Sequence, residues 1–129
     1  MELRDKIERE MKLNDGFVSS NNYKLIDVKE NYCKLEGIIT DSSLNPYGIA
    51  HGGYIFGLAD TASGIAARSK GRSAVTSSST INYLRKVKGN KIVAEAICLK
   101  EGFNVSNYEV SIYEEDKLVA KALIEYFYI

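Results

Sequence analysis

Residues 51–70 read HGGYIFGLADTASGIAARSK, and this stretch decides the fold. Ile55, Leu58, Ala59, Ala62, Ile65 and Ala66 fall at helical spacing on one stripe, so residues 51–70 are expected to form the one long helix. Between His51 and Arg68 the only charged side chain is Asp60, so most of the helix circumference is expected to be out of water. On either side the pattern changes to period two. Leu25, Ile26 and Val28, then Cys33, Leu35, Gly37 and Ile39 alternating with Lys34, Glu36 and Ile38, predict two strands around a turn at Glu30-Asn31. After Gly71 four more strands are expected, over 74–87, 91–100, 105–114 and 118–128, punctuated by Lys88-Gly89-Asn90, Glu101-Gly102 and Glu114-Glu115-Asp116. Such short gaps imply hairpins or a meander, hence an antiparallel sheet. The predicted class is α+β, with a curved antiparallel sheet wrapped around one buried helix. Upstream, Leu3, Ile7 and Met11 recur every four residues, which predicts a short amphipathic N-terminal helix within residues 1–16, ending near Asn14-Asp15-Gly16.

The chain has 129 residues, 45% of them hydrophobic and 26% charged, enough for one core but not two. Residues 1–129 are therefore read as a single domain. Lys plus Arg and Asp plus Glu both total 17, for a formal charge of +0, which removes the footprint of a dedicated nucleic-acid binder. The N-terminal residues lack the apolar core of a signal peptide, and no window approaches the roughly 20 apolar residues of a membrane span. A soluble, cytoplasmic protein with no membrane partner is expected. Cys33 and Cys98 both lie in strand-like alternation and read as free core residues. His51 is the single histidine, so neither a His-based metal cluster nor a two-histidine mechanism is expected, and no metal is predicted.

Gly52 and Gly53 at the helix start leave backbone N–H groups unshielded, where the first turn has donors without internal partners. That suits an anion or oxyanion site, or simply a tight entry into the helix. Asp60, midway along an apolar helix, calls for a partner or a task, since a desolvated carboxylate is costly. Gly53, Gly57, Asp60, Ser63 and Gly64 make a second stripe of small residues, against which sheet, partner helix or ligand comes close. Seven residues separate Gly53 from Asp60, roughly 10 Å along the axis at 1.5 Å per residue. One substrate carbonyl cannot easily touch both in one chain. A two-fold partner would bring its Asp60 opposite this chain's Gly53, giving two composite sites per dimer.

Asn45, six residues before His51-Gly52-Gly53, and Leu58-Ala59-Asp60-Thr61-Ala62 resemble the signature of the PaaI-like (phenylacetate-degradation-type) hotdog thioesterases. The likeness continues through Ala74-Val75-Thr76 and Ile81-Asn82-Tyr83-Leu84-Arg85 and covers roughly residues 20–128. The resemblance implies a hotdog fold, a homodimer or a homotetramer of two dimers, and hydrolysis of acyl-CoA thioesters without a metal. Coenzyme A would be part of the substrate, and no cofactor is implied. By position, the Gly53 N–H would polarise the thioester carbonyl with help from Asn45, and Asp60 of the other subunit would act as general base or nucleophile. His51 would support the loop or the leaving thiolate. Thr76 would orient water, or serve as an ordinary β-branched strand residue.

The same resemblance places the coenzyme A nucleotide along Gly52, Tyr83, Leu84, Arg85, Lys86 and Lys88, and along Lys100, Gly102, Phe103 and Asn104 of another strand pair. Many relatives carry a basic residue after the glycine. Here Gly102 is followed by Phe103-Asn104, so Phe103 would stack on adenine or lie along the pantetheine arm. By residue type alone, Arg68, Lys70 and Arg72 also suit the helix C-terminal dipole, and Arg85, Lys86, Lys88 and Lys91 a solvated turn around a hairpin. A non-catalytic acyl-CoA-sensing module is the alternative class, and a hotdog dehydratase fits less well. Asp60 and the Thr76 hydroxyl favour hydrolysis.

Overall fold

A computed structural model describes residues 2–13 and 16–129. The helix read from residues 51–70 runs over Gly52–Arg68 as α3, after α1 (Leu3–Leu13) and α2 (Gly16–Ser20). The predicted end of the first helix at Asn14-Asp15 lies outside the described residues, whereas Gly16 opens α2, a helix the sequence pattern did not announce. Leu58, Ala59, Ala62 and Ala66 are all 0% exposed, so the apolar stripe of α3 is the centre of the core. Complete burial of Leu58 alone contributes about 2 kcal/mol.

The strands are β1 (Tyr23–Lys29), β2 (Tyr32–Ile38), β3 (Ala74–Tyr83), β4 (Lys91–Glu101), β5 (Val105–Glu114) and β6 (Lys117–Tyr128). They form one antiparallel sheet in the order β1-β2-β4-β5-β6-β3. Asn31 at the β1–β2 turn takes φ 60°, which an asparagine tolerates, so the Glu30-Asn31 hairpin forms as read. Inward-facing residues of β6 (Ala120, Ala122, Ile124, Tyr126, Tyr128) are buried together, as period two requires.

Two expectations need correction. The strand expected over 74–87 ends at Tyr83, because the Leu84 and Arg85 N–H groups both turn to the Val119 carbonyl, at 2.8 and 3.2 Å. Val87 instead leaves the ladder, buries its side chain and accepts the Ala50 N–H at 3.3 Å. Nor do β3 and β4 form a hairpin across Lys88-Gly89-Asn90: β3 crosses to the far edge of the sheet and pairs with β6.

The N-terminal helices pack on β1 and on each other, and Phe17 of α2 reaches α3 at Gly57. Val18 and Ile7 are buried, and Phe17, Tyr23 and Tyr54 stack with centroids 5.9 and 5.2 Å apart. The Tyr23 hydroxyl donates to the Tyr54 carbonyl at 2.6 Å. A Cβ on Gly57 would stand 2.5 Å from that hydroxyl and 3.0 Å from the Phe17 ring, so this member of the small-residue stripe makes room for aromatic side chains of its own chain. Cys33 is buried and Cys98 half-buried, and both are free thiols. No helix among the described residues is long and apolar enough to cross a membrane.

Candidate active site

The loop into α3 is built by Asn45. Its Oδ1 accepts the N–H groups of Tyr47 at 2.9 Å and Ile49 at 3.3 Å, and its carbonyl accepts that of Gly48 at 3.0 Å. Asparagine at the first position, Pro46 with its fixed φ at the second and Gly48 at φ 79° give a tight turn. With Oδ1 so engaged, the Asn45 group left to face a ligand is the Nδ2 donor. His51 is the N-cap of α3, and its Nδ1 accepts the Gly53 N–H at 2.8 Å. The predicted oxyanion donor is thus capped by the neighbouring imidazole.

Asn45 and Gly52 line a cleft of about 340 Å³ with Ile55, Tyr83, Leu84, Arg85 and Lys86. The structure therefore joins the start of α3 to Tyr83, Leu84, Arg85 and Lys86 of the residues expected along the nucleotide. Tyr83 ties the two together through its hydroxyl, which donates to the Gly52 carbonyl at 2.8 Å, and burial raises its pKa. Lys88 lies outside this cleft, beside Gly48, Gly89 and Asn90.

Asp60 opens elsewhere. It lines a second cavity, of about 330 Å³, with Thr61, Gly64, Arg68, Val75, Thr76 and Tyr126, and the two hollows share no residue. Thr76 Oγ1 donates to Asp60 Oδ1 at 2.7 Å, and the Tyr126 hydroxyl stands 2.6 Å from both that oxygen and the Asp60 carbonyl. Thr76 and Tyr126 sit directly opposite each other on β3 and β6, which is why both reach one carboxylate oxygen. Ser63, one turn along α3 and fully buried, stands 2.8 Å from the Tyr126 hydroxyl and donates to the Ala59 or Asp60 carbonyl region as an alternative. Burial, then the adjoining Asp60 charge, push the Tyr126 phenol far up, so it is a neutral donor. Sequence reasoning missed Tyr126. Period two turns it inward, but only the strand register brings it to Asp60.

Lys100, Gly102, Phe103 and Asn104 line neither cavity. Lys100 lies in β4, paired with Asn107, and Gly102, Phe103 and Asn104 form the β4–β5 turn, where the Gly102 N–H donates to the Val105 carbonyl at 2.8 Å and Arg72 donates to the Phe103 carbonyl at 3.0 Å. Phe103 is 85% exposed, with the Arg72 guanidinium 5.7 Å from its ring centroid.

The family model described as Thioesterase superfamily matches residues 47–121. The Escherichia coli (strain K12) protein named acyl-coenzyme A thioesterase PaaI is 32% identical over 109 residues, 83% of this chain and 78% of that one. The structure of the E. coli PaaI protein from the phenylacetic acid degradation operon superposes with TM-score 0.92 at 28% identity, covering 98% of this chain and 94% of that one. A Streptococcus mutans UA159 structure bound to acetyl CoA superposes with TM-score 0.80 at 34% identity, covering 84% and 89%. Sheet order, buried helix and these likenesses agree: the chain belongs to the Thioesterase superfamily, as a PaaI-like hotdog thioesterase.

Proposed function

We propose that the chain hydrolyses acyl-CoA thioesters to a free acid and coenzyme A, in sites shared between two copies. The observation that carries this reading is the separation of the two hollows along α3, one with Asn45 and Gly52 and the other with Asp60 and Thr76. Each lacks what the other holds. A two-fold partner supplies the missing half to both. Support for that pairing comes from β3, a ten-residue edge strand whose outer side is unpaired and largely exposed. Two such edges meeting would continue the sheet across a homodimer, and two dimers would make the homotetramer.

In the composite site the thioester carbonyl displaces His51 Nδ1 from the Gly53 N–H and takes a second hydrogen bond from Asn45 Nδ2. Asp60 of the other subunit either takes a proton from water as its oxygen attacks the acyl carbon, or attacks that carbon itself. In the first route the tetrahedral intermediate collapses with loss of the thiolate, and Asp60 returns its proton to the sulfur. In the second the thiolate leaves as an Asp60–acyl anhydride forms, and water then hydrolyses that anhydride to the free acid and the Asp60 carboxylate, its released proton going to the thiolate. Tyr83, Leu84, Arg85, Lys86 and Lys88 would run along the nucleotide, with Lys100, Gly102, Phe103 and Asn104 contributed from another strand pair. The S. mutans relative bound to acetyl CoA supports a coenzyme A ligand.

A binding module without turnover is the second reading, and the capped Gly53 N–H is the observation in its favour. Thiol release from a panel of aromatic and fatty acyl-CoA substrates separates the two. Turnover abolished by Asp60→Ala is expected, whereas coenzyme A binding with no turnover of any substrate would establish the binding module. Mixing Asp60→Asn with Gly53→Pro subunits tests the shared site. Two inactive parents are expected to regain activity in mixed dimers, and no recovery would mean that each chain works alone.

A further inference from the structure

We propose that Tyr126 is a positioning residue that fixes which Asp60 oxygen reacts, holding Oδ1 so that Oδ2 is presented to the acyl carbon or its water. The inference rests on the thioesterase reading above. Both donors that reach this carboxylate, Thr76 Oγ1 at 2.7 Å and Tyr126 at 2.6 Å, converge on Oδ1. A phenol has one proton. With Tyr126 giving it to the carboxylate, the Ser63 hydroxyl 2.8 Å away becomes the donor to the phenol oxygen, so a buried chain runs from Ser63 through Tyr126 to Asp60.

The phenol is well placed to hold a side chain still. Tyr126 is 2% exposed, packs edge-on against Tyr108 at 5.9 Å, and stands near the C-terminal end of β6 with a paired strand on each side. Thr76 is exposed and lies beside a register shift in β3. Two donors of unequal rigidity thus meet on one oxygen, and the rigid one is the phenol. A carboxylate with one oxygen saturated presents the other in a single orientation, which is the condition for efficient attack or proton transfer.

The test compares Tyr126→Phe with Tyr128→Phe. Tyr128 is a buried phenol on the same strand and makes the same kind of hydrogen bond, to Ser106 at 2.6 Å, but it has no contact with Asp60. Expected for Tyr126→Phe is a kcat lower by about 10- to 100-fold with KM within about twofold. Tyr128→Phe should lose a similar amount of thermal stability while keeping kcat. Ser63→Ala, which leaves the phenol in place and removes the donor to it, should lower kcat by about threefold at unchanged KM. Unchanged kcat in Tyr126→Phe, or equal kcat losses in Tyr126→Phe and Tyr128→Phe, overturns the inference. If Tyr126→Phe does not fold, unchanged kcat in Ser63→Ala overturns it instead. A wild-type protein that turns over no acyl-CoA overturns the thioesterase reading and this inference together, whereas an active wild type leaves the variants to decide it alone.

Discussion

The N-terminal end of α3 and its middle, two turns apart, are built in opposite ways. At the N-terminus the polar groups come from backbone and loop: the Gly53 N–H, the His51 cap, and Asn45 on a turn whose Tyr47 is 86% exposed. In the middle a single charged group is held by side chains of paired strands, Thr76 and Tyr126. On the proposed mechanism the first end exchanges partners, the single His51 hydrogen bond giving way to an incoming oxygen. The second does not. In that mechanism the Gly53 N–H is freed for the oxyanion as the substrate carbonyl replaces the cap, whereas a carboxylate acting on the acyl carbon must already point the right way.

The contrast is broken most severely at Asp60. Asp60→Asn keeps an oxygen for Thr76 and Tyr126, so the fold should survive with little change in Tm, while kcat for acyl-CoA falls about 10³-fold. Thiol release and a thermal melt on the same sample check both halves. A variant that keeps its turnover removes the carboxylate from the chemistry.

Asn45 sharpens the other end. Asn45→Asp retains the Oδ1 acceptor that shapes the turn and removes the Nδ2 donor, and Asn45→Ala removes both. If Nδ2 serves the oxyanion, both variants lose about 10²-fold in kcat. Only Asn45→Ala should also lose about 1 kcal/mol of stability, from its turn hydrogen bonds. Full activity in Asn45→Asp would reduce Asn45 to a loop residue. Smaller again is His51→Ala, which removes the cap of α3 at a cost of about 1 kcal/mol, measured by urea unfolding. Asn is an equally good cap, so His51→Asn should restore that stability.

The sequence carried the two ends unequally too. Ile55, Leu58, Ala59, Ala62, Ile65 and Ala66 announce α3 because burial on one stripe has a period that local pattern reveals, and all six are buried. The His51-Gly52-Gly53 start and the Asn45 turn are likewise contiguous in the chain, so their meeting is legible. Tyr126 reaching Asp60 is not, for the two lie 66 positions apart and the contact depends on β3 crossing to pair with β6. The short Lys88-Gly89-Asn90 gap suggested a β3–β4 hairpin because gap length records proximity along the chain, not partner choice across the sheet. The helix α2 escaped notice for a related reason: five residues are too few to display a helical period, and Phe17 and Val18 gain their place only from Tyr23 and the core.

Alkaline pH gives the gentlest test of the comparison, since it leaves the working range untouched. Burial raises the phenols of Tyr23, Tyr54, Tyr108 and Tyr126, with Tyr54 pushed to about 12 and Tyr126 raised further by the Asp60 charge beside it. An unfolded tyrosine titrates near 10. Below that, both states hold their protons and the contribution to stability is fully present. As pH rises past about 10 the unfolded chain releases protons that the folded one retains, so stability falls, and the Tyr54 share is gone above about 12. Tyr83, at the N-terminal end, is 49% exposed against 2% for Tyr126 and has no carboxylate beside it, so its ionisation comes first. Once charged it can no longer donate to the Gly52 carbonyl. Acyl-CoA turnover is therefore expected to decline with rising pH before the circular dichroism of the fold changes, and Tyr83→Phe should remove that early decline. Activity and fold lost together in the wild type would mean that the N-terminal end of α3 is no more easily disturbed than the middle held by the strands.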